Sequence, residues 1–562
     1  MLACSAMVAC TNDDLLENNE QQNEAKGKAY VSVKLVMTET SGNRAATDMG
    51  FDVGTEAEQT ISTAADKSIF LFYDAQGNWV TSGQIVNGDV NTPNTDYTDH
   101  KGSINDLSGD VYVVLNGPDA SLKKVNQVLT VVNYNGADQL KNLDMTQALD
   151  VITDAQANPA NKGFLMSTSV YYKNNAVRVT SIDPDKQICQ TQEDAKLNPV
   201  RIYIERASAK FQIDWKDSYA VLADGEATDG EKNESTNETE DDIVVDGELQ
   251  AATITITGYT LNNYNEKTKL VKDIEGWDDT DNAPFVGWNA ASNFRSYWAK
   301  STNYMMPEVT TLTDQNDYLV THNFEEAKNK RVSDGAENVT YVYEQTVKKP
   351  NVSEGRATAV AYPNVTTVLI AAKFSVPNYN GSFYKYGGVF YTETSYLNLI
   401  SKKLGDAGYF IKNDAGDKYI NIPATSFKIS AVETELAKVK VTINEGTYYS
   451  VDGTTGTEAN LTDMQEIVDG LSYVKDIEAY KDGNCYYQIP IEHLSADGNC
   501  KYGVVRNHWY QMYINAVKHI GEAVYNEKID IPQIPQKDTE HYLAAELHVL
   551  SWHVVNQDVT LD

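Results

Sequence analysis

The chain has 562 residues, enough for about two to four domains of ordinary size, and its hydrophobic content of 41% is typical of a globular protein. The formal net charge of -34 argues against binding to nucleic acids or anionic lipid surfaces, because both carry negative charge themselves. An excess of Tyr (35) over Phe (13), with abundant Thr, Val and Asn, favours β-structure with polar turns.

The first segment, residues 1–28, is a short apolar leader followed by a polar, acidic tether. Met7-Val8-Ala9-Cys10 is similar to a bacterial lipobox, in which small residues precede a cysteine that becomes diacylated. No basic region precedes it, and the apolar run is shorter than in a usual signal peptide. We expect a truncated lipoprotein signal with Cys10 as the lipidated residue; the alternative is a disordered leader with a chance cysteine.

The next segment, residues 29–44, opens with a predicted strand. Apolar residues alternate along AYVSVKLVMT: Val31, Val33, Leu35 and Met37. This period of two is typical of a strand with one buried face. A loop of small and polar residues follows and contains Arg44 and Ala45. An arginine in such a loop is usually a solvated side chain, but this one lies between a strand and the first domain.

Residues 45–223 contain short strands separated by turn residues, which predicts a β-sandwich. The predicted strands are KSIFLFYDAQGNWV (with an internal turn), DVYVVLNGPDA, GFLMSTSVYY and VRIYIERASAKFQIDW. Asp138–Asp154 carries a weak helical pattern. Residues 224–249 are acidic and contain one lysine, so we predict a linker or protruding loop that cannot bury itself.

Residues 250–530 resume the strand pattern and predict a second β domain. The predicted strands are ATITITGYTLNNYN, TTVLIAAKFSV, KYGGVFYTE, NCYYQIPIEHL and RNHWYQMYINAVKHIG. No repeat of 20–50 residues is present, which disfavours a solenoid or propeller. Cys485 and Cys500 each follow an Asp-Gly-Asn turn. They form either a disulfide across a hairpin or two buried thiols, and the second reading is favoured.

The tail, residues 531–562, begins with a proline-containing hinge and continues as a strand pattern. Its predicted inward-facing residues are Leu543, Ala545, Leu547, Val549, Val555, Val559 and Leu561, with Trp552 between them. At ~3.3 Å per residue the stretch is far longer than a common strand, so we predict two strands with a break near Asn556. Such a strand needs a partner, in its own fold or in a groove on another molecule.

Sequence motifs for catalysis or cofactor binding are absent. The chain has no Walker loop, GxGxxG, HExxH or GxSxG, and no apolar run of ~20 residues that would predict a transmembrane helix. His541, His548 and His553 do not share one strand face, so we expect no metal site there. Carboxylates are so abundant that a pair of them gives no evidence for glycoside hydrolysis. We predict no cofactor and no enzymatic activity.

Several segments together resemble the Bacteroidetes fimbrillins, the FimA/Mfa-like subunits of type V pili. They are MVAC ending at Cys10, AYVSVKLVMT with the Arg44–Ala45 site in SGNRAATD, IERASAKFQIDW, YGVVRNHWYQMYI with Arg506 and Asn507, and AELHVLSWHV. The RNHWY segment and the terminal strand with its tryptophan are the most specific. The resemblance implies an all-β protein with two transthyretin-like β-sandwich domains and an extended C-terminal donor strand.

The resemblance also implies a structural stalk subunit that is exported as a lipidated precursor through the outer membrane to a cell-surface fimbrium. An arginine-specific protease would cut after Arg44, and the strand of residues 29–44 would leave. The emptied groove would accept the C-terminal strand of a neighbouring copy, giving a head-to-tail filament for adhesion and biofilm formation. Its partners would be copies of itself, anchor and tip subunits, and the protease, while nucleic acid is not expected and the sequence identifies no receptor.

Two alternatives remain open at this point. One is a surface glycan-binding lipoprotein, whose tryptophan and tyrosine residues would form the binding platform. The other keeps the family but changes the role to an anchor or tip subunit. The long tail and Arg44 together favour a polymerising subunit, because a tip has no neighbour beyond it that would accept a tail.

Overall fold

The computed structural model describes residues 28–36, 61, 66–86, 106–116, 119–154, 163–173, 176–216, 218–221, 242–274, 299–302, 319–329, 339–346, 365–491, 493, 502–531, 543–550 and 555–557. These residues form mainly β-strands with a few helices, so the predicted all-β class is confirmed. Among them, no helix is long and apolar enough to cross a lipid bilayer.

The described residues of the N-terminal part form one large sheet, a separate two-stranded hairpin and four short helices. The strands are β1 (Lys28–Val36), β2 (Ile69–Tyr73), β3 (Trp79–Val86), β4 (Asp106–Asn116), β5 (Gln127–Val132), β6 (Ile152–Thr153), β7 (Met166–Thr168), β8 (Tyr171–Lys173), β9 (Ala176–Arg178), β10 (Thr180–Ser181) and β11 (Val200–Arg206). The helices are α1 (Asp119–Leu122), α2 (Met145–Leu149), α3 (Pro184–Gln187) and α4 (Gln192–Leu197). Helix α2 and a 3-10 turn at Ala137–Leu140 fall within the segment with the predicted helical pattern.

Strand order in this sheet is β10-β5-β2-β3-β4-β1-β11-β7, and β7 also pairs with β5. The sheet therefore closes on itself and encloses an apolar core, which includes Val31, Phe70, Val113 and Ile202. The opposite face of β2 and β5 is also buried, against α2 and residues of the C-terminal part such as Val505. Burial on both faces explains why β2 reads as a continuous apolar run.

The C-terminal part is a second β-sandwich. The first strands in its described residues are β12 (Ser208–Asp214), β13 (Tyr219–Ala220), β14 (Asp242–Val245), β15 (Glu248–Ala251), β16 (Thr253–Asn262), β17 (Thr268–Lys269), β18 (Val339–Tyr343), β19 (Gln345–Thr346) and β20 (Thr367–Ser375). A helix, α5 (Phe324–Asn329), precedes β18. Its last strands, which follow an insertion, are β30 (Asn484–Pro490), β31 (Gly503–Val504), β32 (Trp509–Val517), β33 (Glu522–Ala523), β34 (Leu543–Leu550) and β35 (Val555–Gln557). Two five-stranded sheets, β18-β12-β32-β34-β35 and β13-β16-β20-β30-β33, share one core.

The insertion lies between β20 and β30, which are adjacent strands of one sheet, and has an apolar core of its own. It contains β21 (Phe383–Tyr386), β22 (Val389–Thr392), β23 (Tyr409–Lys412), β24 (Tyr419–Ile420), β25 (Phe427–Ala431), β26 (Val439–Ile443), β27 (Tyr449–Asp452), β28 (Thr455–Glu458) and β29 (Glu478–Tyr480). Its helices are α6 (Glu393–Asp406), α7 (Leu461–Gly470) and α8 (Ser472–Lys475).

The insertion differs from the sequence prediction in two ways. KYGGVFYTE, predicted as one strand, is the hairpin β21–β22, because Gly387 and Gly388 adopt positive φ and reverse the chain. Helix α6 was not predicted, although its buried residues follow helical spacing. They are Tyr396, Leu397, Ile400, Ser401 and Leu404.

The chain passes from the first sheet to the second at Ala207, between β11 and β12. The expected N-terminal domain extended to residue 223, whereas β12 lies in the C-terminal sandwich. The buried apolar residues change parity at this point, from Ile202 and Ile204 to Phe211 and Ile213. The sequence therefore contained a signal for the change of sheet, which the continuous apolar pattern concealed.

The expected acidic linker, residues 224–249, contains described structure only at its end. β14 and β15 form a hairpin whose turn, Asp246-Gly247, has positive φ at both residues. Asp-Gly at such a turn is a strong hairpin signal. The linker prediction is thus corrected for residues 242–249, and residues 222–241 lie outside the described part.

Candidate functional site

Strand β1 is an internal strand of the N-terminal sheet. It pairs antiparallel with β4, from Lys28 opposite Asn116 to Val36 opposite Asp106, and parallel with β11 from Val33 onward. The predicted alternation is confirmed for Val31, Val33 and Leu35, which are fully buried, while Met37 lies outside the described residues. A strand with partners on both edges and a buried apolar face contributes to the core as well as to the backbone ladder.

The N-terminal half of β1 has a different second partner. Before β11 joins at Val33, Tyr30 exchanges two backbone hydrogen bonds with Cys189: Tyr30 N–H donates to Cys189 O at 2.7 Å, and Cys189 N–H donates to Tyr30 O at 2.9 Å. Cys189 belongs to residues 182–199, which run from the end of β10 through α3 and α4 to β11; we call this segment the strap. Cys189 is half-buried, and burial with the nearby Asp194 raises the pKa of its thiol.

The strap is held together by its own hydrogen bonds. Asp183 caps α3 and accepts from Lys186 Nζ at 2.7 Å, and Thr191 caps α4 through the Asp194 N–H at 3.1 Å. Its ends are anchored in the core by Ile182 and Ala195, which are both buried. The strap is thus a locally capped structure that rests along β1.

The C-terminal tail is paired with its own chain. β34 runs antiparallel to β32, and β35 turns back to pair with β34 as a hairpin. Leu543, Ala545, Leu547 and Val549 lie opposite Val517, Ile514, Met512 and Tyr510, respectively. These four partners are buried residues of the sandwich core. The tail residues predicted to face inward are therefore paired in the backbone ladder with core residues of β32.

The position of the break in the tail differs from the prediction. Two strand segments are present as expected, but β34 ends at Leu550 and β35 begins at Val555, so Asn556 lies within β35. Val555 pairs with Val549 at the start of that strand. The predicted break was placed at Asn556 because the apolar pattern is interrupted there. Trp552, Val559 and Leu561 lie outside the described residues.

A buried cluster of charged side chains joins the two sandwiches; we call Glu205, Lys272, Glu344 and Arg506 the charge cluster. Lys272 Nζ contacts Glu205 Oε2 at 2.7 Å, and Arg506 Nη2 pairs with Glu344 Oε1. Arg506 also donates to the carbonyl oxygen of Lys269 at 2.9 Å. Glu205 is in β11, which borders β1, and Arg506 directly precedes β32, which pairs with the tail.

Burial and charge act in opposite directions in this cluster. Burial raises the pKa of Glu205, and the adjacent Lys272 and Arg506 oppose that rise. Burial acts to lower the pKa of Arg506, but Glu344 and Glu205 outweigh it and raise the value, so the guanidinium stays charged. Buried ions of opposite sign must remain paired, since an isolated one is costly to bury.

Asn507, next to Arg506, links the end of β11 to the start of β32 and has an unusual backbone conformation. Its φ of 59 is in the left-handed region, which Asn tolerates better than most residues. Its N–H donates to Ser208 O at 2.8 Å, and its Oδ1 accepts from Arg206 Nη1 at 3.2 Å. The Arg-Asn pair that the resemblance singled out is thus part of the contact between the end of β11 and the start of β32.

Two histidines lie beside this junction. His493 is fully buried, and its Nδ1 is 2.9 Å from the hydroxyl oxygen of Tyr510. The ring centroids of His493 and His508 are 5.0 Å apart, and Nδ1 of His508 is 2.8 Å from the carbonyl oxygen of Arg506. Burial, together with His508, lowers the pKa of His493 well below its usual value. No sequence motif singles out His493.

The predicted lipidation and cleavage residues Cys10, Arg44 and Ala45 fall outside the described residues, as do the histidines His541 and His553. Cys485 is described as a buried free thiol, whose pKa is raised to about 12 by burial, while Cys500 is outside. In the described part of the chain, no group of three or more His, Cys, Asp or Glu side chains is arranged to hold a metal ion.

Comparison with known proteins identifies the C-terminal part. Residues 478–558 match the family model for the C-terminal region of fimbrillin, the major fimbrial subunit protein type IV. This match covers β30, β32 and β34, with the turn that contains Arg506 and Asn507. No curated protein sequence matches the chain.

Solved structures with similarity include three fimbrial proteins. A fimbrilin (fimA) from Porphyromonas gingivalis W83 is 11% identical, with 94% of this chain and 99% of that chain covered and a TM-score of 0.32. The tip fimbrial protein Mfa3 from Porphyromonas gingivalis is 12% identical, with 93% and 100% covered and a TM-score of 0.28. A fimbrial assembly protein from Parabacteroides distasonis is 11% identical, with 63% and 100% covered and a TM-score of 0.25.

These identities and TM-scores are low, so the assignment depends on the C-terminal match. That match confirms the resemblance seen in the RNHWY segment and the tail. Residues 478–558 are thus similar to the C-terminal region of fimbrillin, a fimbrial subunit protein, and this supports the resemblance to the fimbrillin family.

Proposed function

We propose that the chain is a stalk subunit of a cell-surface fimbrium, and that it polymerises when the tail of one copy replaces β1 of the next. The observation that carries this proposal is the internal position of β1. Its removal would open a groove between β4 and β11 and leave the backbone groups of both strands that face β1 without partners. A strand from another copy would restore the ladder and the core together.

The tail has the dimensions that such a groove requires. β1 has 9 residues and β34 has 8. In β1, Ala29, Val31, Val33 and Leu35 are buried at alternate positions, and the tail repeats this spacing in LAAELHVL. Burying each Leu or Val contributes roughly 1.5–3 kcal/mol, and each backbone hydrogen bond adds about 0.5–1.5 kcal/mol net. An exchanged strand of this length would dissociate very slowly.

The pairing of β34 with β32 in the same chain supports a stored form of the tail. An unpaired apolar strand would aggregate without specificity, and docking on its own sandwich prevents this. Cleavage after Arg44 would release β1 and create a site that competes for the tail. Because the donor and the groove lie on different surfaces, the joint is head-to-tail and continues as a filament.

The proposal includes lipidation at Cys10, export through the outer membrane as a lipidated precursor, and cleavage between Arg44 and Ala45 by an arginine-specific protease. It assigns the donor residues to Leu543, Ala545, Leu547, Val549, Trp552, Val555, Val559 and Leu561. The partners are further copies of this chain, with anchor and tip subunits at the filament ends. The presence of a tail favours the stalk role over the tip role.

The test is polymerisation of the purified full chain after nicking with an arginine-specific protease. We expect ladders on denaturing gels without boiling, and we expect none from R44K, which keeps the charge but removes the cleavage site. Deletion of Tyr542–Asp562 should also abolish ladders while β1 is still released. Ladders from the tail deletion, or equal ladders from R44K, would overturn the proposal.

Labelled peptides show which part of the tail enters the groove. Nicked, tail-deleted subunits are incubated with peptides 541–562, 541–551 or 552–562. The spacing match predicts retention of 541–562 and 541–551 and little retention of 552–562. Because the peptides are added separately, this result does not depend on how a tail substitution affects the fold of the subunit.

A further inference from the structure

The strap provides a backbone edge beside β1 where β11 does not reach. β11 pairs with β1 only from Val33 to Val36. At Tyr30 the second edge of β1 is instead bonded to Cys189, through two hydrogen bonds of 2.7 and 2.9 Å. Without the strap, the N-terminal half of β1 would be paired on the β4 side alone.

We propose that the strap is the second wall of the acceptor groove, and that Cys189 binds the backbone of the incoming tail from another copy as it binds Tyr30 of β1. This inference rests on the proposed function and adds a contact surface that the two-strand description of the groove lacks. Before cleavage the occupant of the groove is β1, and after cleavage it would be the tail of another copy. Both are strands with alternating apolar residues.

The strap is suited to this role because its structure does not depend on β1 alone. Capping hydrogen bonds at Asp183 and Thr191 are internal to it, and Ile182 and Ala195 are buried in the core. After β1 leaves, the backbone N–H and C=O groups of Cys189 would remain directed into the groove. A preformed edge lowers the ordering cost of binding a strand.

The first test links the strap to β1 by a disulfide. Residues that exchange both backbone hydrogen bonds in an antiparallel pair have Cα atoms about 5.5 Å apart, which suits a disulfide. In Y30C, diamide should oxidise the two thiols at positions 30 and 189 to a disulfide while it is reduced to its hydrazine. After nicking, β1 should stay attached and ladders should be lost until a reductant is added. Y30C/C189S is the matched control and should form ladders with or without oxidation.

The second test detects contact between the strap of one subunit and the tail of another. Single cysteine variants Y542C, A544C and E546C are made in the full chain, nicked, polymerised and oxidised with diamide. We expect one of the three to give a disulfide between subunits that survives boiling without reductant and disappears when C189S is added to the same variant. Three positions are used because the register of the tail in the groove is set by the exchange itself.

The outcomes separate the two proposals. If nicked wild-type protein forms no ladders, the proposed function fails and the strap inference fails with it. If ladders form normally but none of the three variants gives a disulfide that depends on Cys189, only the strap inference is overturned. If Y30C ladders are equally strong with and without diamide, the contact between strap and β1 does not restrain β1, and the inference is again overturned.

Discussion

Arg506 shows what a single residue contributes beyond its place in a motif. The RNHWY segment was recognisable in the sequence, but the partner of Arg506, Glu344, lies 162 residues upstream. The sequence alone gives no means of pairing the two, because neither residue is near the other in the chain. The same holds for Tyr510, whose hydroxyl oxygen is 2.9 Å from Nδ1 of the buried His493.

His493 predicts a pH dependence of stability. Its pKa in the folded protein lies well below 6.5, because it is buried and faces His508. The unfolded chain takes up the proton below pH ~6.5 and the folded chain does not, so stability falls as pH decreases from there, by about 1.4 kcal/mol per pH unit. We expect urea midpoints measured at about pH 8 and about pH 5.5 to differ more for wild type than for H493Q.

The comparison uses the difference between the two pH values, so any loss of stability caused by the substitution itself cancels. H519Q, at a half-buried histidine in the turn after β32, serves as the control and should keep the wild-type dependence. An identical pH dependence in wild type and H493Q would contradict the assignment.

At the scale of elements, β11 and β32 are the strands that connect β1 to the tail. β11 borders β1, β32 pairs with β34, and the charge cluster lies between the end of one and the start of the other. The apolar alternation of each strand was predicted from the sequence. Their junction was not, because the switch between sheets at Ala207 depends on how two separate cores pack.

The charge cluster predicts non-additive effects of mutation. R506M leaves Glu344 buried without its ion-pair partner and should lower the free energy of unfolding by roughly 3–5 kcal/mol. R506M/E344M removes both charges and should recover most of that loss, since apolar side chains can replace a buried ion pair. Chemical denaturation of wild type, each single variant and the double variant measures the coupling.

K403M is a suitable control for this double-mutant cycle, since Lys403 Nζ and Asp406 Oδ2 form an exposed ion pair at 3.9 Å on α6. Its unfolding midpoint should match that of wild type. If R506M/E344M is as unstable as the sum of the two single variants, the pair is not coupled and the cluster does not stabilise the junction in this way.

At the scale of the whole molecule, two features bear on the proposed assembly. The sandwiches are joined through an apolar contact and the charge cluster, so β1 and the tail belong to one connected structure. The chain also carries a formal net charge of -34, so approaching copies repel each other. The proposed assembly through an exchanged apolar strand would therefore have to overcome a long-range repulsion.

This repulsion predicts that salt accelerates polymerisation. The Debye length falls from ~30 Å at 0.01 M to about 8 Å at 0.15 M salt, so ladder formation by nicked subunits should become faster over that range. The tail peptide 541–562 carries only three acidic residues, Glu546, Asp558 and Asp562. The rate at which it binds to nicked, tail-deleted subunits should therefore depend less on salt than the rate of polymerisation does. A polymerisation rate that is unchanged or falls with salt would show that charge repulsion does not limit encounter.

The sequence by itself determined the strands with a clear period of two, because alternation is a local property that a single buried face imposes. β1, β16, β20 and β32 were found in this way, as was a strand in the tail. Only the tertiary structure decided that β1 is an internal strand, that the tail docks on β32, and that the strap completes the second edge of β1. These features depend on pairing between residues far apart in the chain, and local periodicity contains no information about which distant strand will be the neighbour.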